Sequence, residues 1–212
     1  MLKNASLNKR NKTVACYVGC SRQMDVVFVL DLSGSVEQSG NYRPMIDLVR
    51  QLIYGLDIRS GQVRVGVVTY ADQVDDLIYL KDYDRQVDNL IYAISFNHNG
   101  GKTNTQAALA TVQNSEFTTA NGDRPGAANI VILISDGNSD DMEGSTPDAN
   151  AAQNLRSSGA TIYTVGIGEA PNSAELGTIA GNALESTFDI PDWSDATVSG
   201  AVRSILDRLC QS

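Results

Sequence analysis

From Asp25 onward, short apolar runs rich in Val and Ile alternate with stretches whose apolar residues recur at helical spacing. No other feature constrains the fold as strongly, because strands separated by helical crossovers pair in parallel. Residues 26–30, 63–70, 130–135, 162–167 and the shorter 187–190 read as strands, and their near-continuous apolar character suits burial on both faces. Residues 74–80 follow Tyr70 too closely for a crossover, so this strand is expected to pair antiparallel at an edge. Met45, Leu48, Val49, Leu52, Ile53 and Leu56 form one helical stripe, and Val87, Leu90, Ile91 and Ile94 form a second. Thr146 before Pro147 reads as a helix start, with Gly159 closing that helix. A last helix is expected over 195–209, with Val198, Val202, Ile205, Leu206 and Leu209 facing inward. The expected fold is α/β: a doubly wound, mostly parallel central sheet with one antiparallel edge strand and helices on both faces.

At 212 residues, the chain can bury a sizeable single core. We place that domain at 20–212 and read 1–19, rich in Asn, Lys and Ser without periodicity, as a flexible leader or linker. Sixteen basic against 25 acidic residues leave a net charge of −9, which argues against a nucleic-acid partner. No apolar run approaches the ~20 residues of a spanning helix, so no membrane insertion is expected. The first residues also lack the apolar stretch of a signal peptide, so any secretion signal is expected to have been removed already.

Two tripeptides in the polar tail, at Asn4 and Asn11, are glycosylation sequons. Cys20 precedes the first strand and Cys210 closes the last helix. A bridge between them would close a loop of roughly 190 residues, worth ~5 kcal/mol in the chain-entropy model. Cys16 is then left for a second chain or for exchange with Cys20, whereas three unpaired thiols would suit a cytosolic protein. Sequons and cysteines together favour a secreted, extracellular protein.

Three separate segments supply hard oxygen donors beside glycines: Asp31-Leu32-Ser33-Gly34-Ser35, Gly100-Gly101-Lys102-Thr103 and Ser135-Asp136-Gly137. Asp31 and Asp136 both fall at the carboxyl ends of expected strands, the edge at which open parallel sheets bind ligands. Carboxylates and hydroxyls suit Mg²⁺, with Ca²⁺ or Mn²⁺ admitted, and not zinc. Two acids cannot cage the ion, so the site keeps a position for an outside ligand. Each segment alone is ordinary turn chemistry; the three with matched donors outweigh that reading.

These residues resemble the metal-ion-dependent adhesion site of von Willebrand factor A domains, and the resemblance runs from about Cys20 to Cys210. The stretch from Cys20 to Asp31 is similar to the start of the A domains of von Willebrand factor, and Asp136-Gly137-Asn138-Ser139-Asp140-Asp141 to those of matrilins and collagens. The resemblance implies a Rossmann-like fold and a metal held directly by Ser33 and Ser35. Asp31 and Asp136 would act largely through water, and Thr103 would ligate when the site is engaged. A carboxylate from the partner would complete the octahedron. It also implies the Cys20–Cys210 bridge, and hence a tethered last helix and a site of fairly fixed affinity. The expected function is adhesion to collagen or another matrix protein, not enzymatic. The alternative is a structural module, similar to byssal or shell-matrix proteins, that bridges fibres or mineral with the metal secondary.

Other residues read more plainly. His98, the only histidine, could serve as base to Ser33 or Ser35, but no Gly-x-Ser-x-Gly elbow supports a hydrolase, and a polar loop residue is the better reading. Gly166-Ile167-Gly168 lacks a third glycine and reads as a strand exit, not a phosphate loop. Asp72, Asp75 and Asp76, like Asp140, Asp141 and Glu143, read as solvated acids. Trp193 is expected to pack where the last helix begins.

Overall fold

The computed structural model describes residues 22–96, 100–137, 139 and 147–211. Strands β1 (Met24–Asp31), β2 (Val63–Tyr70), β3 (Val74–Ile78), β4 (Ala128–Ser135), β5 (Thr161–Ile167) and β6 (Thr187–Ile190) form one sheet in the order β3-β2-β1-β4-β5-β6. Every neighbouring pair is parallel except β2–β3, which is antiparallel at the edge as the short connection requires. The helices are α1 (Gly34–Gln38), α2 (Tyr42–Gly55), α3 (Val87–Ala93), α4 (Thr105–Thr111), α5 (Pro147–Ser157), α6 (Ser173–Ile179) and α7 (Asp195–Gln211). The doubly wound α/β architecture is therefore as expected.

All eight residues of β1 are buried, and their alternation divides the core in two. Met24, Val26, Phe28 and Leu30 face a layer built by α2, α3 and α7, where the α2 stripe and Val202, Ile205, Leu206 and Leu209 are enclosed. Val27 and Val29 face the other layer, with Ala108 and Leu109 of α4, Leu155 of α5 and Leu176 of α6. Full burial of one such side chain stabilises the fold by roughly 1.5–3 kcal/mol. Trp193 packs against the first layer as expected, and its Nε1 donates to Asn41 Oδ1 at 2.8 Å.

Three short helices, α1, α4 and α6, escaped the periodicity argument, because each buries at most two large apolar side chains, too few to display a stripe. Past α4 the chain widens into a π-helical turn, Val112–Glu116. Asp75 also departs from expectation. It is half-buried rather than solvated, one of its oxygens lacks a partner, and burial raises its pKa. The expectations for 1–19, Cys16, Cys20, His98, Asp140, Asp141, Glu143 and Thr146 fall outside the described residues.

At the amino edge of the sheet, Arg124 clamps β1. Its Nε donates to Asp25 Oδ1 at 2.8 Å and its backbone N–H to Oδ2 at 2.7 Å. Its remaining nitrogens reach the carbonyls of Met24, Gln62 and Gly61 at 2.7–3.0 Å. Burial raises the Asp25 carboxyl, and the bonds and charge of Arg124 offset that rise only in part. Removing one member of a buried pair strands the other. Arg124→Met is expected to cost about 3–5 kcal/mol in urea unfolding, and Asp25→Asn in the same chain to return part of it.

Glu116, at the end of the π-turn, is wholly buried over Gly66 of β2, where a Cβ would lie 2.6 Å from its Oε2. Neither oxygen makes a well-formed hydrogen bond, and burial, with Asp82 adding to it, pushes its carboxyl up to about 8. Between its ordinary value near 4.5 and about 8, the folded state keeps a proton that the unfolded state has lost. This group's contribution is thus intact in acid and falls by up to about 1.4 kcal/mol per pH unit on the way to pH 8. Glu116→Gln is expected to raise the Tm more at pH 8 than at pH 5, a difference that calorimetry at the two pH values reads directly.

Candidate metal centre

The sheet order places β1 between β2 and β4, so connections leave the carboxyl ends of β1 and β4 in opposite directions and open a crevice there. Leu30 lies opposite Ile134 in the β1–β4 register, which brings Asp31 beside Ser135 with Asp136 next in line. Asp31 is fully buried. Its Oδ1 accepts the Ser33 backbone N–H at 2.9 Å and its Oδ2 accepts the Ser135 hydroxyl at 2.6 Å. Ser135 Oγ in turn accepts the Gly137 N–H at 2.9 Å. Burial, with a smaller push from the Asp136 charge, raises the Asp31 carboxyl to about 6 despite these bonds. Among the described residues no basic side chain offsets it.

Ser33 occupies the N-cap position of α1, yet its hydroxyl makes no capping bond. It lies instead 3.1 Å from Ser35 Oγ. Adjacent oxygens of a magnesium octahedron with ~2.1 Å bonds are about 3 Å apart, so the hydroxyl pair has the spacing of one octahedral edge. Thr103 is buried, and its loop is drawn against α1 by the Gly34 N–H donating to Gly101 O at 3.0 Å. Gly101 has φ of +102°, which favours glycine, and a Cβ there would meet the Asp72 carboxylate. Asp72 is not merely solvated, as its position suggested. It accepts the Lys102 backbone N–H, and its carbonyl accepts from Asn104 Nδ2 at 3.3 Å, so it braces the Thr103 loop.

Asp136 is half-buried beyond β4, and its carbonyl accepts the Asn172 N–H at 2.9 Å. Gly137 follows with φ of +78°, and any Cβ there would come 2.9 Å from the Asn172 carbonyl oxygen. The carboxyl ends of β1 and β4 and the loop before α4 thus bring Asp31, Ser33, Ser35, Thr103 and Asp136 to one edge. No three His, Cys, Asp or Glu side chains converge among the described residues, so a metal here depends on hydroxyls as well as the two acids. Hard, largely neutral donors beside an uncompensated buried carboxylate fit Mg²⁺ chemistry.

Polar residues that carried no sequence signal lie behind this edge. Tyr70, wholly buried at the end of β2, has its hydroxyl 3.2 Å from Thr105 Oγ1. Thr105 Oγ1 lies 3.0 Å from Ser139 Oγ, whose hydroxyl donates to Glu175. Tyr70 read only as a strand residue, and Glu175 is far away in sequence. Cys210, near the end of α7, is disulfide-bonded. Cys20, Cys16, Asn4 and Asn11 are outside the described residues.

Residues 25–201 match the von Willebrand factor type A domain. The chain belongs to that family. Over 167 residues it is 36% identical to the mouse collagen alpha-6(VI) chain, covering 78% of this chain and 7% of that one. Chicken matrilin-1 is 28% identical over 207 residues, covering 97% of this chain and 40% of matrilin-1. The chain thus spans less than half of either curated relative. Proximal thread matrix protein 1 of the mussel byssus, in a structure with a zinc-occupied MIDAS motif, superposes with a TM-score of 0.79 at 25% identity, covering 91% of this chain and 49% of that one. The relatives of this A domain are thus matrix proteins, and the fold is theirs. No helix among the described residues is long and apolar enough to cross a membrane.

The raised Asp31 carboxyl has a consequence for stability. Its folded value near 6 exceeds its ordinary 3.8, so without a cation its contribution falls as pH rises through about 6. Asp31→Asn removes that cost. In EDTA at pH 7 the variant is expected to melt no lower than wild type, whereas Mg²⁺ should raise the Tm of wild type alone.

Proposed function

We propose that this A domain is an extracellular matrix-binding module that engages a protein ligand through a divalent cation, Mg²⁺ by preference, with Ca²⁺ or Mn²⁺ as alternatives. The observation that carries the reading is Asp31, a buried carboxylate that no basic side chain among the described residues offsets, set beside the Ser33–Ser35 hydroxyl pair. On this reading Ser33, Ser35 and Thr103 bind the ion through their hydroxyls, Asp31 and Asp136 hold its waters, and an acidic side chain of the partner takes the remaining position. The cation supplies an electrophilic centre for that carboxylate. The domain is not an enzyme on this reading: its function is to hold a partner, and the relatives are matrix proteins.

Collagen or another fibrous matrix component is the ligand class we propose, because matrix proteins recur among the relatives. We also propose Cys20 as the partner of Cys210, residues 1–19 as a linker carrying glycans at Asn4 and Asn11, and Cys16 as a link to a second chain. A bridge at Cys210 would tether the end of α7 to the start of β1 and oppose large helix movement. The likeness to a byssal thread matrix protein favours a second reading, in which the domain bridges fibres and the metal is secondary.

Solid-phase binding to matrix components separates the two readings. Binding is expected to vanish in EDTA, to return with Mg²⁺, and to fall by at least about tenfold in Asp31→Ala and Thr103→Ala proteins that remain folded. Binding indifferent to chelator and to both substitutions would leave the structural-bridge reading.

A further inference from the structure

The first turn of α6 is fastened to the candidate metal centre in an unusual way. Asn172 caps this helix, its Oδ1 accepting the Glu175 N–H at 3.3 Å. An Asn or Ser cap with Glu three residues on ordinarily closes a box, the Glu reaching back to the cap residue's own backbone N–H. Here that N–H donates to the Asp136 carbonyl at 2.9 Å. Glu175 Oε2 accepts from the Asn172 side chain at 3.3 Å, which leaves Oε1 to reach across to Ser139. Oε1 accepts both the Ser139 hydroxyl and, at 3.3 Å, the Ser139 backbone N–H.

Ser139 Oγ therefore sits between two elements. On one side is the Glu175 carboxylate; on the other is Thr105 Oγ1 at 3.0 Å, two residues past Thr103 and itself 3.2 Å from the buried Tyr70 hydroxyl. With its hydroxyl hydrogen given to Glu175, Ser139 Oγ can only accept from Thr105, and Thr105 Oγ1 in turn accepts from Tyr70. The chain of donors runs in one direction and ends on a carboxylate, which strengthens each bond in it. Its middle members, Thr105 and Ser139, lie on the arms that carry Thr103 and Asp136, and α6 anchors it through Glu175.

We infer that Glu175 and Ser139 form a latch that fixes the separation of the Asp136 and Thr103 arms, which makes both of them positioning residues for the cation. The inference rests on the metal-centre reading above. It makes Glu175 act through geometry and not as a ligand or a remote charge. Cation affinity should therefore follow the acceptor at this position and not its charge.

Titration calorimetry with Mg²⁺ on the intact chain tests this, with the metal-free Tm of each variant recorded alongside. Ser139→Ala and Glu175→Ala are each expected to weaken Mg²⁺ binding about five- to tenfold, and the double variant no further than the weaker single, because both break one latch. Glu175→Gln keeps an oxygen acceptor for the Ser139 hydroxyl and is expected to stay within about twofold of wild type. The spectrum of bound Mn²⁺ should change in Ser139→Ala and be retained in Glu175→Gln, a signature that a general loss of stability would not produce. Equal losses in Gln and Ala would overturn the latch in favour of a field effect, and additive losses would overturn the coupling. Wild-type binding left unchanged by Ser139→Ala would overturn the latch alone, whereas a wild type with no saturable Mg²⁺ binding would overturn the metal reading and the latch with it. If Glu175→Ala fails to fold, Ser139→Ala against wild type and Glu175→Gln decides between the same outcomes.

Discussion

Strand β1 carries a buried aspartate near each end, and the difference in how the two are compensated organises the molecule. Asp25 has a cation supplied by the chain: Arg124 gives it two bonds and spends its other nitrogens on carbonyls of the neighbouring turns. Among the described residues Asp31 is met by neutral donors of Ser33 and Ser135 and by no basic side chain. A buried carboxylate in that position either keeps a proton or recruits a positive charge from outside. The first end closes the sheet; the second leaves it chemically open. Both aspartates lie on the strand that β2 and β4 flank, so the candidate binding edge is built on the same central strand as the edge that packs.

The candidate edge is tied to its loops by backbone bonds rather than by side-chain packing. Gly34 N–H meets the Gly101 carbonyl, Asn104 N–H meets Ala71, and Asn172 N–H meets Asp136. Each joins a segment that follows a strand to another loop at the same edge, so donors far apart in sequence share one frame. The glycines at these crossings exist because the backbones approach too closely for a Cβ, as the Gly137–Asn172 contact makes plain. Metal sites formed this way owe their geometry to the sheet, and changing a loop's length would disturb them more than changing an exposed side chain.

Much of this was legible before any coordinates. Apolar runs marked the six strands, stripes marked α2, α3 and α7, and turn residues marked α5, since buried strands and amphipathic helices write their packing into residue spacing. The five oxygen-bearing residues were also legible, because each lies at a strand end or within a loop flanked by glycine. What stayed hidden was what depends on tertiary approach. Glu116 looks like any helix acid in sequence, yet the missing side chain at Gly66, some fifty residues away, is what admits it to the interior. Asp72 looks like a solvated edge charge until the Lys102 N–H is seen to donate to it. Glu175 reads as part of a helix cap, and only the diversion of the Asn172 N–H to Asp136 frees it for Ser139.

The donor set also bears on why a partner would be needed at all. With two carboxylates and three hydroxyls, the charge brought to a divalent ion is balanced but not exceeded, and the ion stays electrophilic enough to take an external anion. The surroundings work the other way. The chain carries a net charge of −9, and Asp72 and Glu37 lie near the Thr103 loop, so an acidic partner approaching without the ion meets repulsion. On the proposed reading, attraction is therefore concentrated in a single coordination bond rather than spread over a complementary surface. Such an interface would lose nearly all its affinity with the ion yet depend only weakly on salt, because a directly coordinated pair is screened far less than charges apart in solvent.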